Sequence, residues 1–389
     1  MTLKHPLMKN NIEKRDLNIL INYLKKKDPK LTNGPKVKQF EEAWSNWLGV
    51  KYSVFVNSGS SANLLSISLL KIMYPKGGEI IVPPLTWSSD ISSILFNGFK
   101  PVFVDINLEN LSMNVDKIIS KVNKKTIAVF ITHVLGFNSL NDKLIKYLKR
   151  KKIHLIEDVC ESHGAKLGKK KAGTFGEISN FSFYYGHHMT TIEGGMISTN
   201  SKKIDRLAKM KRGHGLLRDS QDNNFIKENI KKRKDLNNDF IFYTEGFNLR
   251  STELSAVIGI NQLKRLNKNI KIRNQNHKIF LNHLRGDIFF KDFKLKGASN
   301  YGLHLILRKK NSSLFKKILK ILDKNLIEYR LGSLGNQIRQ PYLKTFKKTS
   351  YLRSLKNTEH MHFYSVYIGN HQALDKNRII KLCNNLDKI

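Results

Sequence analysis

Short β-branched runs alternate with helix-length segments through the first two thirds of this chain, and that alternation narrows the fold more than any other feature. Residues 54–56, 80–82, 102–104, 127–131, 153–156, 181–184 and 196–198 each read as a strand. Between them apolar residues recur at three- and four-residue spacing, as in Val37, Phe40, Trp44 and Leu48. Strands joined by helices imply crossovers, and crossovers give a mostly parallel sheet with helices on both faces. From about residue 250 the pattern changes to a long helix over 252–284, a strand at 303–307 and a helix at 314–322. The 389 residues exceed what one small core usually serves. The expectation is an α/β fold with a large domain over 1–250 and a smaller α+β domain over 251–389, with the N-terminal segment free to pack against the smaller one.

Composition removes several function classes. The formal charge of +38 invites a nucleic-acid reading. Yet the basic residues are spread along the whole length, without interleaved aromatics or zinc-finger spacing. A solvated surface is the better reading, and its field would still attract an anionic small substrate. Two cysteines, Cys160 and Cys383, are too few for a disulfide framework or a four-cysteine iron–sulfur cluster. No apolar run is long enough to span a bilayer, and the first residues lack the apolar core of a signal peptide. A cytoplasmic protein without a membrane or nucleic-acid partner is expected.

Four places carry chemistry. The segment 57–63, NSGSSAN, lies between a strand and a helix, where small residues expose backbone N–H groups to an anion. A plain serine-capped turn fits it equally well. Asp158 falls at the carboxyl end of a central strand, where ligands sit in open parallel sheets. It either meets a cationic ligand or merely opens a helix, and His163 is placed to hold it by a hydrogen bond. Trp87 falls at another strand's carboxyl end, free to stack on a planar ligand or to fill core. His187 and His188 are adjacent and so point different ways. No Asp, Glu or Cys accompanies them at a metal-ligand spacing, which argues against a zinc site.

In order along the chain stand LTNGPKVKQFEEAW, NSGSSANLL, EIIVPPLTWSS, FVDIN, EDVCESHGAKLGKKKAGTFGEISNFSFYYGHHMTTIEGG and GFNLRSTELSAVIGINQL. Together they resemble the sugar-nucleotide aminotransferases of the DegT/DnrJ/EryC/StrS group, fold-type I enzymes of pyridoxal phosphate (PLP). The resemblance implies that Gly59, Ser60 and Ser182 bind the cofactor phosphate, that Asp158 pairs with the pyridine nitrogen, and that Trp87 lies against the ring. It also implies a homodimer with shared active sites, in which Asn248 reaches the neighbouring subunit's phosphate.

The family's cofactor-attaching lysine stands five residues after this serine and six before the glutamate of EGG. Counting from Ser182 and back from Glu193 gives His187 both times, and no lysine occurs between Lys171 and Lys202. Within the family, histidine at this place is similar to sugar 3-dehydratases. One sort of these carries an iron–sulfur cluster, for which this chain lacks the cysteines. The resemblance then implies an enzyme using PLP and pyridoxamine phosphate (PMP), with His187 as catalytic base. It would remove the C3 hydroxyl of a nucleotide-linked 4-keto-6-deoxyhexose, GDP-4-keto-6-deoxy-D-mannose foremost, with glutamate restoring PMP. His214, Arg218, Arg250 and Arg330 are implied as substrate contacts. An ordinary aminotransferase and a non-catalytic regulatory or nucleic-acid-binding relative are the competing readings.

Overall fold

The computed structural model describes residues 5–387. Strands β1 (Tyr52–Val56), β2 (Glu79–Val82), β3 (Lys100–Phe103), β4 (Thr126–Thr132) and β5 (His154–Asp158) alternate with helices as expected. A small hairpin, β6 (Lys166–Leu167) with β7 (Lys170–Lys171), precedes β8 (Ile178–Ser182) and β9 (Gly195–Thr199). The seven-stranded sheet has the order β1-β9-β8-β5-β4-β2-β3. Only β9 is reversed, antiparallel to both neighbours. Its amino end, Gly195, therefore lies level with Val56 and Ser182, at the carboxyl edge of the parallel strands. Ligands bind along that edge in such sheets.

The helices covering the sheet follow from local chemistry. Helix α1 (Lys14–Leu24) precedes α2 (Pro35–Leu48), which has Pro at its first position and Gly49 in the left-handed conformation at its end. The Glu253 carboxylate accepts from the N–H groups of Lys36 (2.9 Å) and Val37 (2.7 Å), filling the N-terminus that Gly34 cannot cap. Val37, Phe40, Trp44 and Leu48 are all buried in the core beneath the large sheet. Helices α3 (Gly59–Met73) and α4 (Ser88–Phe96) leave the carboxyl ends of β1 and β2.

Two expectations shift. Strand β8 lies upstream of the expected 181–184, because buried Ser179 and Asn180 belong to it. Their oxygens find partners: the Ser179 hydroxyl donates to Gly173 O (2.8 Å), and Asn180 Oδ1 accepts from Ser66 Oγ (2.6 Å). The long helix over 252–284 is two helices, Glu253–Leu263 and Leu266–His283. The break lets Arg265 turn to Asp16 in α1, where its Nη1 donates at 2.9 Å to a carboxylate that also accepts from Asn261 (2.7 Å) and Gln262 (3.0 Å).

The rest of the chain builds β10 (Gly302–Ile306), β11 (Tyr329–Leu331) and β12 (Ser365–Gly369), an antiparallel sheet of order β10-β12-β11. Phe280, Leu303, Leu322, Ile368 and Leu382 belong to its own apolar core. At the chain's start, His5 bridges to Ile327 beside this sheet. The two sheets meet at a tight crossing. Gly136 (φ +94°) has no room for a side chain, since a Cβ there would lie 2.1 Å from Ser299 O. Ser299 N–H donates to Gly136 O (2.7 Å) and Tyr301 N–H to Leu135 O (3.1 Å), which fixes Tyr301 against the carboxyl edge of the large sheet. Among the described residues no helix is long and apolar enough to cross a membrane.

Asp16→Ala leaves the Arg265 guanidinium buried without its main counter-charge. Urea denaturation should show a loss of about 3–5 kcal/mol, the usual cost of breaking a buried ion pair from one side.

Candidate active site

Asp158 ends β5 and is almost wholly buried. One carboxylate oxygen accepts the Cys160 backbone N–H (2.8 Å) and the other accepts the Asn63 amide (2.9 Å). No lysine, arginine or histidine forms an ion pair with it among the described residues. A buried carboxylate without a cation is expensive, so this floor fits a ligand that brings positive charge. Of the two readings of His163, a hydrogen bond to Asp158 or the structural place that a lone histidine more often takes, the structure shows the second. Both of its ring nitrogens lack partners, and it packs among Trp44, Phe181, Phe183, His187 and His188.

Gly59 opens α3 within contact of the same floor. A Cβ on it would lie 2.5 Å from Ser182 Cβ and 3.1 Å from Cys160 Sγ. Across the neck, a Cβ on Gly195 would lie 2.1 Å from Ser58 O. Ser58 caps the helix by accepting Ser61 N–H (3.0 Å), and the N–H groups of Gly59 and Ser60 have no acceptor among the described residues. Free amides at the start of a 15-residue helix, with exposed Ser60 and the hydroxyl of Ser182 close by, make an anion cup.

The two histidines have different surroundings. His188 is fully buried, and its Nε2 faces the carbonyls of Ser299 (3.1 Å) and Asn300 (3.2 Å). His187 sits in a turn held by its own N–H to Tyr184 O (3.0 Å). Its ring lies 5.5 Å from the Tyr301 ring and 6.0 Å from the Tyr184 ring, and its Nδ1 has no partner. Arg273 clamps this turn from behind, donating to the carbonyls of His187 (3.1 Å) and Tyr301 (3.2 Å). Burial, and then the Arg273 charge, push the His187 pKa down to about 3. The ring is therefore a neutral base near pH 7.

At the mouth, Trp87 is 59% exposed, so its indole is available to a ligand rather than filling core. It precedes α4 and lies one turn before Asp90. Arg330 lies exposed on β11 opposite Tyr367, whose ring is 6.2 Å from Tyr301. His214, Arg218 and Asn248 are exposed in neighbouring segments, where Gly213 bridges to Asn248 and Arg218 lies over Phe240. Arg250 is paired with Asp219 (2.8 Å). The structure thus gathers Gly59, Ser60, Asp158 and Ser182 closely, with His187 and Trp87 on the same edge. His214, Arg218 and Arg250 lie in segments near Asn248, and Arg330 lies apart from them on β11. Among the described residues no group of three or more His, Cys, Asp or Glu is arranged to hold a metal ion.

Sequence reasoning missed Asn63, Asp90, Glu161 and Arg273. Burial pushes the Glu161 carboxyl up to about 7, although it accepts Leu135 N–H (2.8 Å). The available signal was a charge inside an apolar helix, Asp90 in SSDISSILF; Arg273 stands in a helix rich in Asn and Lys and gave none.

A family model described as the DegT/DnrJ/EryC1/StrS aminotransferase family matches residues 10–387. The chain belongs to that family. Among its relatives is GDP-4-keto-6-deoxy-D-mannose 3-dehydratase of Yersinia pseudotuberculosis, 32% identical over 99% of each chain. The enzyme of the same name from Escherichia coli O55:H7 is 34% identical over 88% of this chain and 89% of its own. A crystal structure of GDP-4-keto-6-deoxymannose-3-dehydratase with a trapped PLP–glutamate geminal diamine superposes with a TM-score of 0.84. It is 30% identical and covers 98% of this chain and 100% of the other. The fold is that of the family's PLP-dependent enzymes.

A residue larger than glycine at position 59 has nowhere to go except into the cup. Gly59→Ala should lower PMP affinity measured by fluorescence titration, with a stability loss of about 1–3 kcal/mol from overpacking.

Proposed function

We propose that this chain is a PLP/PMP-dependent sugar-nucleotide 3-dehydratase, acting on GDP-4-keto-6-deoxy-D-mannose and releasing a 4-keto-3,6-dideoxy sugar. The carrying observation is a family site that keeps its anion cup and its unpaired carboxylate but has histidine where the attachment lysine belongs. Relatives of that name match nearly the whole chain, and glutamate is the proposed amino donor.

When bound, the cofactor supplies an amine that condenses with the 4-keto group and a ring that delocalises electrons. The chain's residues do the remainder. Gly59, Ser60 and Ser182 hold the phosphate, Asp158 keeps a proton on the ring nitrogen, and Trp87 covers one ring face. Neutral His187 takes a proton from the carbon bearing the cofactor amine and returns it to the departing C3 hydroxyl. The negative diphosphate favours the protonated imidazole that this transfer requires. An imidazole forms no covalent link to PLP, so no side chain displaces an amino sugar as a lysine would.

His214, Arg218, Arg250 and Arg330 are the proposed contacts to sugar and diphosphate, with the guanidinium fork suited to the phosphate oxygens. The overall positive charge steers such a substrate inward, and nucleic acid has no part in this reading. We place the chain in the cytoplasm, with two domains divided near residue 250. We also assign a homodimer in which Asn248 reaches the partner's phosphate cup. Exposed Phe240 (58%) and Phe242 (60%), beside the segment that carries Arg218 and Asn248, supply an apolar surface suited to that contact. A single monomeric species in equilibrium sedimentation would remove this part of the proposal.

The function is tested by incubating GDP-4-keto-6-deoxymannose with the protein, PLP and glutamate. Mass spectrometry should find a product that has lost one oxygen and gained no nitrogen. In His187→Lys the cofactor should become fixed to the chain after borohydride reduction, visible in the intact mass. Dehydration should fall by roughly 10²–10⁴-fold, the usual contribution of a positioned acid–base group. Undiminished dehydration in that variant would rule out His187 as the base.

A further inference from the structure

Beside Asp158 lies a second carboxyl group that the reaction above does not use. Asp90 projects from the first turn of α4 and is fully buried. One of its oxygens accepts from the Asn63 amide (2.7 Å), the same amide that donates to Asp158 at 2.9 Å. The other oxygen meets the Thr132 hydroxyl (2.6 Å) and the Thr86 hydroxyl, and these two hydroxyls are 2.7 Å from each other. The Asn63 amide thus bridges the Asp90 and Asp158 carboxyls.

Counting protons decides the state of this cluster. The Thr86 oxygen, the Thr132 oxygen and one Asp90 oxygen form a triangle whose three edges are all at hydrogen-bond distance. The two hydroxyls supply two protons for three edges. A carboxylic acid proton on the Asp90 oxygen that faces the two hydroxyls completes the triangle, while its other oxygen accepts from Asn63. The other groups facing Asp90 offer no positive charge. Asn63 and Ser89 are neutral, and burial together with the nearby carboxylates keeps the Cys160 thiol and the Tyr342 phenol protonated. No ion pair to Asp90 or Asp158 exists among the described residues.

We propose that Asp90 is a positioning residue that stays protonated at working pH, so that the two-carboxyl floor carries one negative charge and accepts one protonated ring nitrogen. Burial first, and the Asp158 charge second, hold the Asp90 carboxyl well above the usual carboxylate range. With Asp90 uncharged the floor presents one anionic acceptor, and the shared proton stays on the ring rather than on the floor. An ionised Asp90 would reverse that preference, because two adjacent carboxylates compete for any proton between them. The ligand selected is thus a heteroaromatic cation with a single N–H⁺, and an isosteric uncharged ring is excluded. The inference rests on the assignment of Asp158 to the ring nitrogen.

The test compares Asp90→Asn with Asp158→Asn in the full chain. If Asp90 is neutral, its amide variant should bind PMP within about threefold of wild type by calorimetry, whereas Asp158→Asn should lose about tenfold or more, the equivalent of one pK unit. The cofactor-free chain gives an independent reading. Unfolded Asp90 ionises near the ordinary value of about 3.9, while folded Asp90 keeps its proton. Wild-type stability should therefore fall, relative to Asp90→Asn, as the pH rises above about 4. Equal loss of PMP affinity in both variants, or a stability difference that does not change with pH, overturns the proposal. Unchanged PMP binding in Asp158→Asn would defeat the ring-nitrogen assignment instead, with the cofactor-free titration still deciding Asp90. Should Asp90→Asn not fold, infrared spectroscopy of an otherwise unaltered chain in a Glu161→Gln background decides. A protonated-carboxyl band persisting at neutral pH supports the proposal, and its absence overturns it.

Discussion

An uncompensated negative charge at the carboxyl end of β5 is the constraint around which this site is arranged. Asp158 has lost most of its water and has gained only an amide and one backbone N–H in return. Such a group destabilises the ligand-free protein unless something positive arrives. The parallel sheet places it where helix α3 also starts, so a second, positive-ended feature lies within contact distance. Gly59 allows that contact, because a methyl there would strike Ser182. One end of the cleft thus suits an anion and its floor suits a cation. A phosphorylated pyridinium satisfies both with one molecule.

The antiparallel sheet contributes less to this floor and more to its wall. Arg273 and the segment 299–301 come from the part of the chain after residue 265, and they grip the turn that carries His187. Their hold depends on Gly136, whose left-handed conformation lets Ser299 approach the loop after β4. The base is therefore set by packing between two cores, whereas the cofactor floor is set within one. Changes in how the cores meet would move His187 without disturbing Asp158.

Much of this was legible in the chain itself, and the exceptions have physical causes. Strands rich in Val and Ile, and an amphipathic α2 with Phe40 and Trp44 at helical spacing, follow patterns that burial imposes directly. Strand β8 was displaced because ISNFS contains buried Ser179 and Asn180, and the Asn180 amide oxygen is held by Ser66, far away in sequence. The break at Arg265 was invisible because its cause, Asp16, lies some 250 residues upstream. In the candidate site, Gly59, Asp158, Ser182 and His187 could be proposed from the chain because ordered motifs fix their spacing. Asp90 could not, since its meaning comes only from standing beside Asp158. Its charge inside an apolar helix marks a buried polar group but does not name the partner.

The exchange of lysine for histidine also changes what the wall must do. A lysine would attach the cofactor covalently, and its amine would need to shed a proton near neutrality to react. An imidazole buried beside Arg273 is already neutral, with its pKa pushed down to about 3. It is a ready acceptor but a weak one. Strength must come from the incoming charge, because a diphosphate near the imidazole favours its protonated form as Arg273 opposes it. On the proposed reading binding and proton transfer are coupled, because the anionic substrate raises the basicity of His187 as it arrives. That coupling suits a site whose cofactor is held without a covalent bond, since a proton removed before the substrate arrives would accomplish nothing.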